Sequence, residues 1–341
     1  MKKIAVAIPA YNHAPFIAGA LESVFAQNWP ELEVHILDDG SSDDTAAVAE
    51  RTRAKAPVGL SVRIDRQDNR GSARTINRMI DRIDADYVAI LNSDDLYAPG
   101  RLAAFAARAE GEDLFFGVSG VEFIESGQTE DFSLFSEWYR SKFDRAAQLP
   151  TFGFAFVLSN ISVTSSNFFF SRALFDLADG FDPALTLTQD WDFALRAVRW
   201  TEPVLLPERL LLYRAHPGNT WRRLQGVRRE QSEQVLRNFV ARSAAPTLNR
   251  LAPSPINWPA YLPAFLRICR PVFGDEPLGA YFPPEWLAAP AGAVDPASPE
   301  GDALHRLFVA AQRGPSEEMP LDESLAAATD HWARIRAAPR R

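Results

Sequence analysis

Short apolar runs alternate with amphipathic segments along the first hundred residues. Four runs rich in aliphatic side chains have the length of buried strands, and they span 4–8, 33–37, 62–64 and 87–91. Between them, three segments repeat apolar side chains at helical spacing, at 15–27, 42–55 and 72–83. This alternation predicts an α/β fold with a mostly parallel sheet and helices on both faces.

Proline content separates two parts of the chain. Ten of the 25 prolines lie in residues 1–242, and the other 15 lie in the last 99 residues. Because proline interrupts regular elements, the first part is expected to hold long helices and strands, and the last part short helices joined by turns. No stretch approaches 18 consecutive apolar residues, so the sequence predicts no membrane-spanning helix.

Charge and cysteine content narrow the function classes. The 44 acidic residues outnumber the 36 lysines and arginines, which gives a net charge of −8 and disfavours sequence-independent binding to nucleic acid. Cys269 is the single cysteine, so the chain can form no internal disulfide and no thiolate zinc site. A reducing compartment such as the cytoplasm is therefore expected.

Polar residues follow the predicted strands. The four polar groups span 9–12, 38–42, 68–71 and 92–95. Each group alone is compatible with turns and helix caps, which also favour Asp, Asn, Ser and Gly. In a parallel sheet, however, the carboxyl ends of the strands meet at one edge, where ligands bind. The convergence of the four groups predicts a ligand site at that edge.

The acidic pair Asp94–Asp95 is the most informative of these groups. Two carboxylates on a tight turn after a buried strand suit Mg²⁺ or Mn²⁺, which leave coordination positions for phosphate oxygens. The alternative is a cap for a helix that begins near Pro99, although a cap accounts for only one carboxylate. Neither a G-x-G-x-x-G motif nor a P-loop follows the first strand, which disfavours NAD enzymes and P-loop ATPases.

Several motifs, taken in order, resemble those of family 2 glycosyltransferases. They are IAVAIPAYN (4–12), DDGSSDDT (38–45), NRGSARTIN (69–77), LNSDD (91–95), TQDWDF (188–193) and YRAHPGNT (213–220). The resemblance covers about residues 1–222 and implies a GT-A catalytic domain there, with a Rossmann-like, mostly parallel sheet flanked by helices. Residues 223–341 match no family motif. They are predicted to form a Pro-rich, mainly helical region for acceptor recognition or oligomerisation.

The resemblance implies an inverting enzyme that depends on a nucleotide sugar. Asp39 would bind the nucleobase, and uracil is favoured because a carboxylate can accept a charge-assisted hydrogen bond from its ring N–H. For Arg74 the alternative is a solvated helix face. The residues implied to bind the nucleotide sugar are Pro9, Tyr11, Asn12, Asp39, Asn69, Gly71, Arg74, Asn92 and Asp94.

The same resemblance implies a Mn²⁺ or Mg²⁺ cofactor. Asp95 would be the direct metal ligand, and Asp94 would contact the sugar or the ribose. His216, in the last motif, would bind the metal or the diphosphate, although an isolated histidine is more often a surface or core residue. The sequence leaves these two roles of His216 open.

Asp190 is implied to be the catalytic base. The family motif has Glu before this aspartate, and Gln189 stands in that position here. An aspartate is ionised at neutral pH without special tuning, as a general base must be. The alternative is that Asp190 caps a helix over 191–200, which is compatible with the catalytic role.

The predicted acceptor is a hydroxyl group of a glycan or of a lipid-linked glycan, in bacterial surface polysaccharide synthesis. The enzyme is expected in the cytoplasm or at the inner face of the membrane, with peripheral membrane contact and a homodimer as options. Two rival functions stay open. One is a catalytically inactive protein that binds nucleotide sugars, and the other is a sugar nucleotidyltransferase, which usually has a Gly-rich basic loop after the first strand.

Overall fold

The chain forms a single mixed sheet with flanking helices. A computed structural model describes residues 2–125, 132–146, 151–219, 225–245, 247–268, 279, 282–288, 293–303 and 306. In chain order, strands β1 to β8 span Ile4–Ala10, Leu32–Asp38, Ser61–Arg66, Tyr87–Ile90, Leu96–Tyr97, Phe116–Glu125, Phe169–Ser171 and Val204–Ala215. Their spatial order is β3-β2-β1-β4-β7-β6-β8-β5.

Parallel pairing dominates one side of the sheet. Strands β1 to β4 pair in parallel, as do β6 and β8, whereas β7 pairs antiparallel with both β4 and β6. In the register of β1 and β2, Ala10 lies opposite Asp38, so both strands end at the same edge. The predicted α/β class with a mostly parallel sheet is confirmed. The residues that follow the carboxyl ends of the parallel strands therefore lie along one common edge of the sheet.

Helices connect the strands and continue after the last one. Helices α1 to α4 span Ile17–Phe25, Thr45–Arg53, Ser72–Ile80 and Arg101–Arg108. Helices α5 to α8 span Phe132–Ala146, Phe152–Leu158, Arg172–Leu177 and Gln189–Val198, and the last three span Gln225–Ser243, Leu262–Ile268 and Pro284–Leu287. The three helices predicted in the first hundred residues are confirmed with shorter ends. For example, α2 begins at Thr45, whose N–H donates to the Asp43 carboxylate at 3.0 Å in a preceding turn.

The centre of the sheet is buried on both faces. Six of the seven residues of β1 are buried, and so are all four residues of β4. A strand covered on both faces has no polar side to its sequence, which is why these strands are nearly continuous apolar runs. Their side chains are fixed by packing, so the loops that follow them have a rigid base.

Phenylalanines fix the start of α8 against the sheet. Phe181 and Phe193 stack with 4.5 Å between ring centroids, and Phe193 also packs against Phe168 and Phe170 at 5.7 and 5.2 Å. Aromatic pairs of this kind contribute about 0.5–1.5 kcal/mol each beyond their burial. Because Phe193 lies three residues after Asp190, the cluster sets where the first turn of α8 lies.

The chain divides into two compact units. The first comprises residues 1–136, 162–193 and 203–228, and the second comprises 137–161, 194–202 and 229–341, as far as these residues are described. Within the second unit Phe154 and Trp258 stack at 5.6 Å between ring centroids. The predicted domain boundary at residue 222 falls in 220–224, outside the described residues, and stays a prediction. In the described ranges we find no helix with the length and apolar character needed to cross a membrane.

Candidate active site

A cavity of about 370 Å³ opens at the carboxyl ends of β1, β2 and β4. This is the predicted edge of the sheet, and the volume lies in the range of small-molecule sites. Predicted site residues that line the cavity are Pro9, Tyr11, Asp39, Asn69, Gly71, Asn92, Asp94, Asp95 and Asp190. Three further predicted residues, Asn12, Arg74 and His216, are not among the described residues of its lining.

Asp39 follows β2 directly, and three donors hold its carboxylate. The Nε2 atom of Gln67 and the backbone N–H of Arg70 donate to Oδ1 at 2.7 and 2.8 Å. The backbone N–H of Gly71 donates to Oδ2 at 2.9 Å. An ionised carboxylate offers about four acceptor positions, so one position on Oδ2 remains for a ligand.

Gly40 allows the loop after β2 to approach the loop before α3. Its φ is +76°, and a Cβ atom at this position would lie 2.8 Å from the backbone N of Asn69. Glycine alone suits both the left-handed backbone and the missing space. The close approach sets Asp39 beside the backbone N–H groups that hold its carboxylate.

Asn12 ties two loops together instead of lining the cavity. Its Oδ1 atom accepts the N–H of Ser42 at 2.8 Å, and its own N–H donates to Oγ of Ser41 at 2.9 Å. The φ of Asn12 is +53°, a conformation that asparagine tolerates better than most residues. Arg74 is exposed on α3, the solvated position that the sequence left as its alternative. The predicted nucleotide contacts of both residues stay predictions.

Asp94, His216 and His13 bring three ligand atoms together. The Oδ2 atom of Asp94 lies 3.0 Å from Nε2 of His216 and 3.7 Å from Nε2 of His13. Burial favours the neutral carboxyl, but the hydrogen bond with His216 and the charges of both histidines outweigh it and lower the pKa of Asp94. One carboxylate and two imidazoles within 4.8 Å of one another suit Mn²⁺ or a similar divalent metal.

Asp95 has a different environment from Asp94. Its Oδ2 atom accepts the Ser166 hydroxyl at 2.6 Å, and its Oδ1 atom accepts the backbone N–H of Arg214 at 2.9 Å. Burial and the neighbouring Asp94 charge raise the pKa of the Asp95 carboxyl well above its usual range. Asp95 therefore anchors the segments around Ser166 and Arg214 at the site. It lies outside the group of possible ligands described for Asp94, and its role as a metal ligand stays a prediction.

His13 is a candidate that the sequence analysis did not identify. Its backbone N–H donates to the Thr45 hydroxyl, and its Nδ1 atom lies 2.8 Å from Oγ of Ser93. The available signal was its position three residues after the end of β1, the neighbour of β4 in the sheet. A polar residue after β1 meets the acidic pair after β4 because adjacent parallel strands end side by side.

Residues 163–165 form another part of the wall. Asn92 is held there, because its Nδ2 atom donates to Oγ1 of Thr164 at 2.8 Å and its N–H donates to Oγ of Ser166 at 2.9 Å. Val163 has a φ of +70°, which is a genuine outlier for a β-branched residue. The wall that holds Asn92 thus contains a strained backbone.

Helix α8 carries Gln189 and Asp190 to the cavity. The helix begins at Gln189, two residues earlier than predicted, so Asp190 lies in the first turn and not at a cap before it. Its Oδ1 atom accepts the N–H of Trp191 at 2.7 Å, and the residue is 7% exposed. The partial positive charge of a helix N-terminus favours an ionised carboxylate at this position.

Residues 5–169 match the sequence model of the family described as Glycosyl transferase family 2. They form a family 2 glycosyltransferase domain. For these residues the resemblance drawn from the motifs is confirmed, whereas the motifs at 188–193 and 213–220 lie beyond the matched range. Succinoglycan biosynthesis protein ExoW of Rhizobium meliloti is 31% identical over 148 residues, which are 38% of this chain and 44% of ExoW. The uncharacterized glycosyltransferase YibD of Escherichia coli K12 is 31% identical over 129 residues, 37% of either chain. The chain spans less than half the length of these two relatives.

Solved glycosyltransferases share the fold of the family 2 domain. The crystal structure of S. aureus TarS 1–349 in complex with UDP-GlcNAc has a TM-score of 0.57 at 17% identity, covering 98% of this chain and 90% of that chain. Mannosyltransferase PcManGT from Pyrobaculum calidifontis, in complex with GDP-Man and Mn²⁺, has a TM-score of 0.53 at 18% identity, covering 100% and 82%. The predicted GT-A fold is thereby confirmed.

Proposed function

We propose that the protein transfers a sugar from a nucleoside-diphosphate sugar, with UDP favoured, to a hydroxyl group of a glycan or lipid-linked glycan, inverting the anomeric carbon. One observation carries the proposal. A carboxylate suited to a nucleobase (Asp39), a carboxylate with two histidines (Asp94) and a candidate base (Asp190) belong to one site. A protein that only binds nucleotide sugars would have no need of the third.

Asp39 supports a nucleobase with a ring N–H. Three of its four acceptor positions are occupied by protein donors, which leaves Oδ2 with one position at the cavity wall. Uracil and guanine both offer a ring N–H as the partner. A hydrogen bond to an ionised acceptor is stronger than a neutral one, so the base would be fixed at this end of the site.

Asp94, His13 and His216 would hold the divalent cation. Two imidazole nitrogens favour Mn²⁺ over Mg²⁺, which prefers oxygen ligands. Bound there, the ion would supply positive charge against the diphosphate leaving group. Arg214 adds a fixed cation beside this cluster, because its Nε atom donates to the backbone oxygen of Asp94 at 2.9 Å.

Asp190 would act as the general base. Its carboxylate takes the proton of the acceptor hydroxyl while the hydroxyl oxygen attacks the anomeric carbon and the bond to the diphosphate oxygen breaks. The first turn of α8 holds this carboxylate in the cavity wall. A single displacement of this kind inverts the configuration and needs no nucleophilic side chain.

Relatives support polysaccharide synthesis as the context. Three of them are named succinoglycan biosynthesis proteins, and a fourth, 26% identical over 200 residues, is the chondroitin synthase of Escherichia coli. We infer a role in bacterial surface polysaccharide synthesis, in the cytoplasm or at the inner face of the membrane. Homodimer formation stays a prediction.

Asp190→Asn tests the proposed function most directly. The assay supplies Mn²⁺, a panel of UDP- and GDP-sugars, and glycan acceptors, and it measures release of the nucleoside diphosphate. We expect kcat to fall by about 100-fold to 10,000-fold, because an amide keeps the shape of the side chain but cannot take the proton. Proton NMR of the wild-type product reports whether the configuration is inverted.

Asp182→Asn is the matched control for this substitution. The Asp182 carboxylate accepts the N–H of Ala184 at 2.8 Å, and Asp182 is not among the described lining residues, so its variant should retain wild-type kcat. Unchanged turnover in Asp190→Asn would contradict the role of Asp190. Nucleotide-sugar binding by the wild type without turnover of any donor would favour the inactive binding protein.

A further inference from the structure

Gln189 has a buried acceptor that the described protein does not satisfy. It is the first residue of α8, and it lines the cavity beside Asp190. Its Oε1 atom is buried and accepts no hydrogen bond from any described residue. Such an atom costs folding free energy, because it loses its hydrogen bonds to water and gains none in return. A ligand that supplied a donor would remove this cost.

The chemistry of the ligand decides which group could supply the donor. The oxygens of a diphosphate are acceptors, so they cannot meet a second acceptor. The proposed function assigns the nucleobase to Asp39, whose carboxylate is held by backbone N–H groups of the loop after β3. Gln189 instead adjoins Asp190, which must reach the hydroxyl that attacks the anomeric carbon. The groups near Gln189 are therefore the transferred sugar and the acceptor, and the hydroxyl groups of both are donors. Of these two, only the transferred sugar is bound together with the nucleotide, so a binding measurement without acceptor tests its contact alone.

A neutral side chain also suits this position better than a charged one. The family motif has Glu before the catalytic aspartate, whereas this chain has Gln. A buried carboxylate oxygen without a donor costs far more than an amide oxygen. The amide thus keeps an acceptor in the wall without adding a second negative charge beside Asp190.

We propose that Oε1 of Gln189 accepts a hydrogen bond from a hydroxyl group of the transferred sugar, so that Gln189 helps the site to prefer a nucleotide sugar over the free nucleotide. The inference rests on the proposed function, because it assumes that the cavity binds a nucleotide sugar. It assigns to Gln189 a contact with the sugar and no part in proton transfer.

Gln189→Met tests the contact, because methionine keeps the length of the side chain and removes both polar atoms. Isothermal titration calorimetry in the presence of Mn²⁺ gives the Kd of UDP-GlcNAc and the Kd of UDP. The Kd values of UDP-glucose, UDP-galactose and GDP-mannose are measured in the same way and compared with those of UDP or GDP. One of these nucleotide sugars will exceed its nucleotide in affinity for the wild type by the largest factor. We expect Gln189→Met to bind that nucleotide sugar about threefold to tenfold more weakly. Binding of the nucleotide alone should not change, and the melting temperature should stay equal or rise, because an unsatisfied buried oxygen is gone.

Gln189→Glu is the conservative comparison. Its carboxylate can still accept a hydrogen bond from a sugar hydroxyl. The nucleotide sugar should therefore still bind more tightly than the nucleotide, by about the wild-type factor. Its melting temperature should fall, because a buried charged oxygen without a donor destabilises the free protein. Gln189→Met is thus expected to lose sugar binding without losing stability, and Gln189→Glu to lose stability without losing sugar binding. A purely structural residue would not separate the two effects in this way.

Several results would overturn the inference. One is a lower melting temperature of Gln189→Met while the nucleotide sugar still binds more tightly than the nucleotide by the wild-type factor. Another is that the variant weakens binding of the nucleotide and of the nucleotide sugar equally. A third is that the variant changes only the KM of the acceptor. A wild type that binds no sugar nucleotide better than its nucleotide would overturn it too. By contrast, wild-type sugar binding that depends on Gln189 but leads to no turnover would contradict the proposed transfer and leave this inference standing.

Discussion

Two side chains on different walls of the cavity, Asp39 and Gln189, differ in how completely protein donors satisfy them. On the wall built by the loops after β1, β2 and β3, the Asp39 carboxylate has three donors and the Asn12 amide oxygen is bonded to Ser42. On the wall built by residues 163–165 and the start of α8, Val163 has a φ of +70°, and Oε1 of Gln189 meets no donor among the described residues.

The difference indicates that the two walls have different roles in binding the ligand. A wall whose groups are already bonded is preorganised, and it can bind a rigid group such as a nucleobase with little loss of entropy. A wall with a strained backbone and an unsatisfied acceptor is less stable alone and gains more from a ligand, as functional sites often do. Substitutions on the first wall should therefore cost stability, and substitutions on the second should cost function.

Gly40→Ala should have the largest effect on stability. The added Cβ would lie 2.8 Å from the backbone N of Asn69, and the backbone has a φ of +76°. Backbone strain and overpacking together predict a loss of about 3 kcal/mol in the free energy of unfolding. Chemical denaturation measures this loss, and UDP binding should weaken with it because the donors of Asp39 move away.

Gly100→Ala separates the two causes. Gly100 has a similar φ of +78°, but a Cβ there would meet nothing within 4 Å. Its variant should lose only about 1 kcal/mol, the cost of the left-handed backbone alone. Equal losses in the two variants would show that the loops around Gly40 can separate freely, and the first wall would then not be preorganised.

Asp94→Asn should lower the affinity for Mn²⁺ at least tenfold, and Asp95→Asn should leave it close to the wild-type value. Asp94 lies beside His13 and His216, whereas Asp95 bonds to Ser166 and Arg214 and lies outside this cluster of possible ligands. Titration of Mn²⁺ in the presence of UDP measures both affinities. Equal losses would place Asp95 among the metal ligands, as the sequence predicted, and would extend the metal site toward the second wall.

Local patterns predicted the central strands and their helices, because each of these elements carries its own periodicity. Strands β5 and β7 have two and three residues, and such strands are defined by their partners and not by a pattern of their own. In the site, Asp39 and Asp94 could be predicted because each is a carboxylate in the short polar segment after a buried strand. His13 could not, because its contact with Asp94 and His216 joins residues that are distant in sequence and adjacent only in the folded sheet.

Val163→Asn should have the smallest effect on the free energy of unfolding. The sign of that effect shows whether the backbone of the second wall is strained. A β-branched residue at a φ of +70° costs about 1–2 kcal/mol, and asparagine adopts this conformation more readily. The free energy of unfolding should therefore rise by about 1 kcal/mol. Val62→Asn is the control, because Val62 lies in β3, where valine suits the backbone, and that variant should lose stability. If Val163→Asn were also less stable than the wild type, packing around Val163 would outweigh its strain, and the second wall would be as well satisfied as the first.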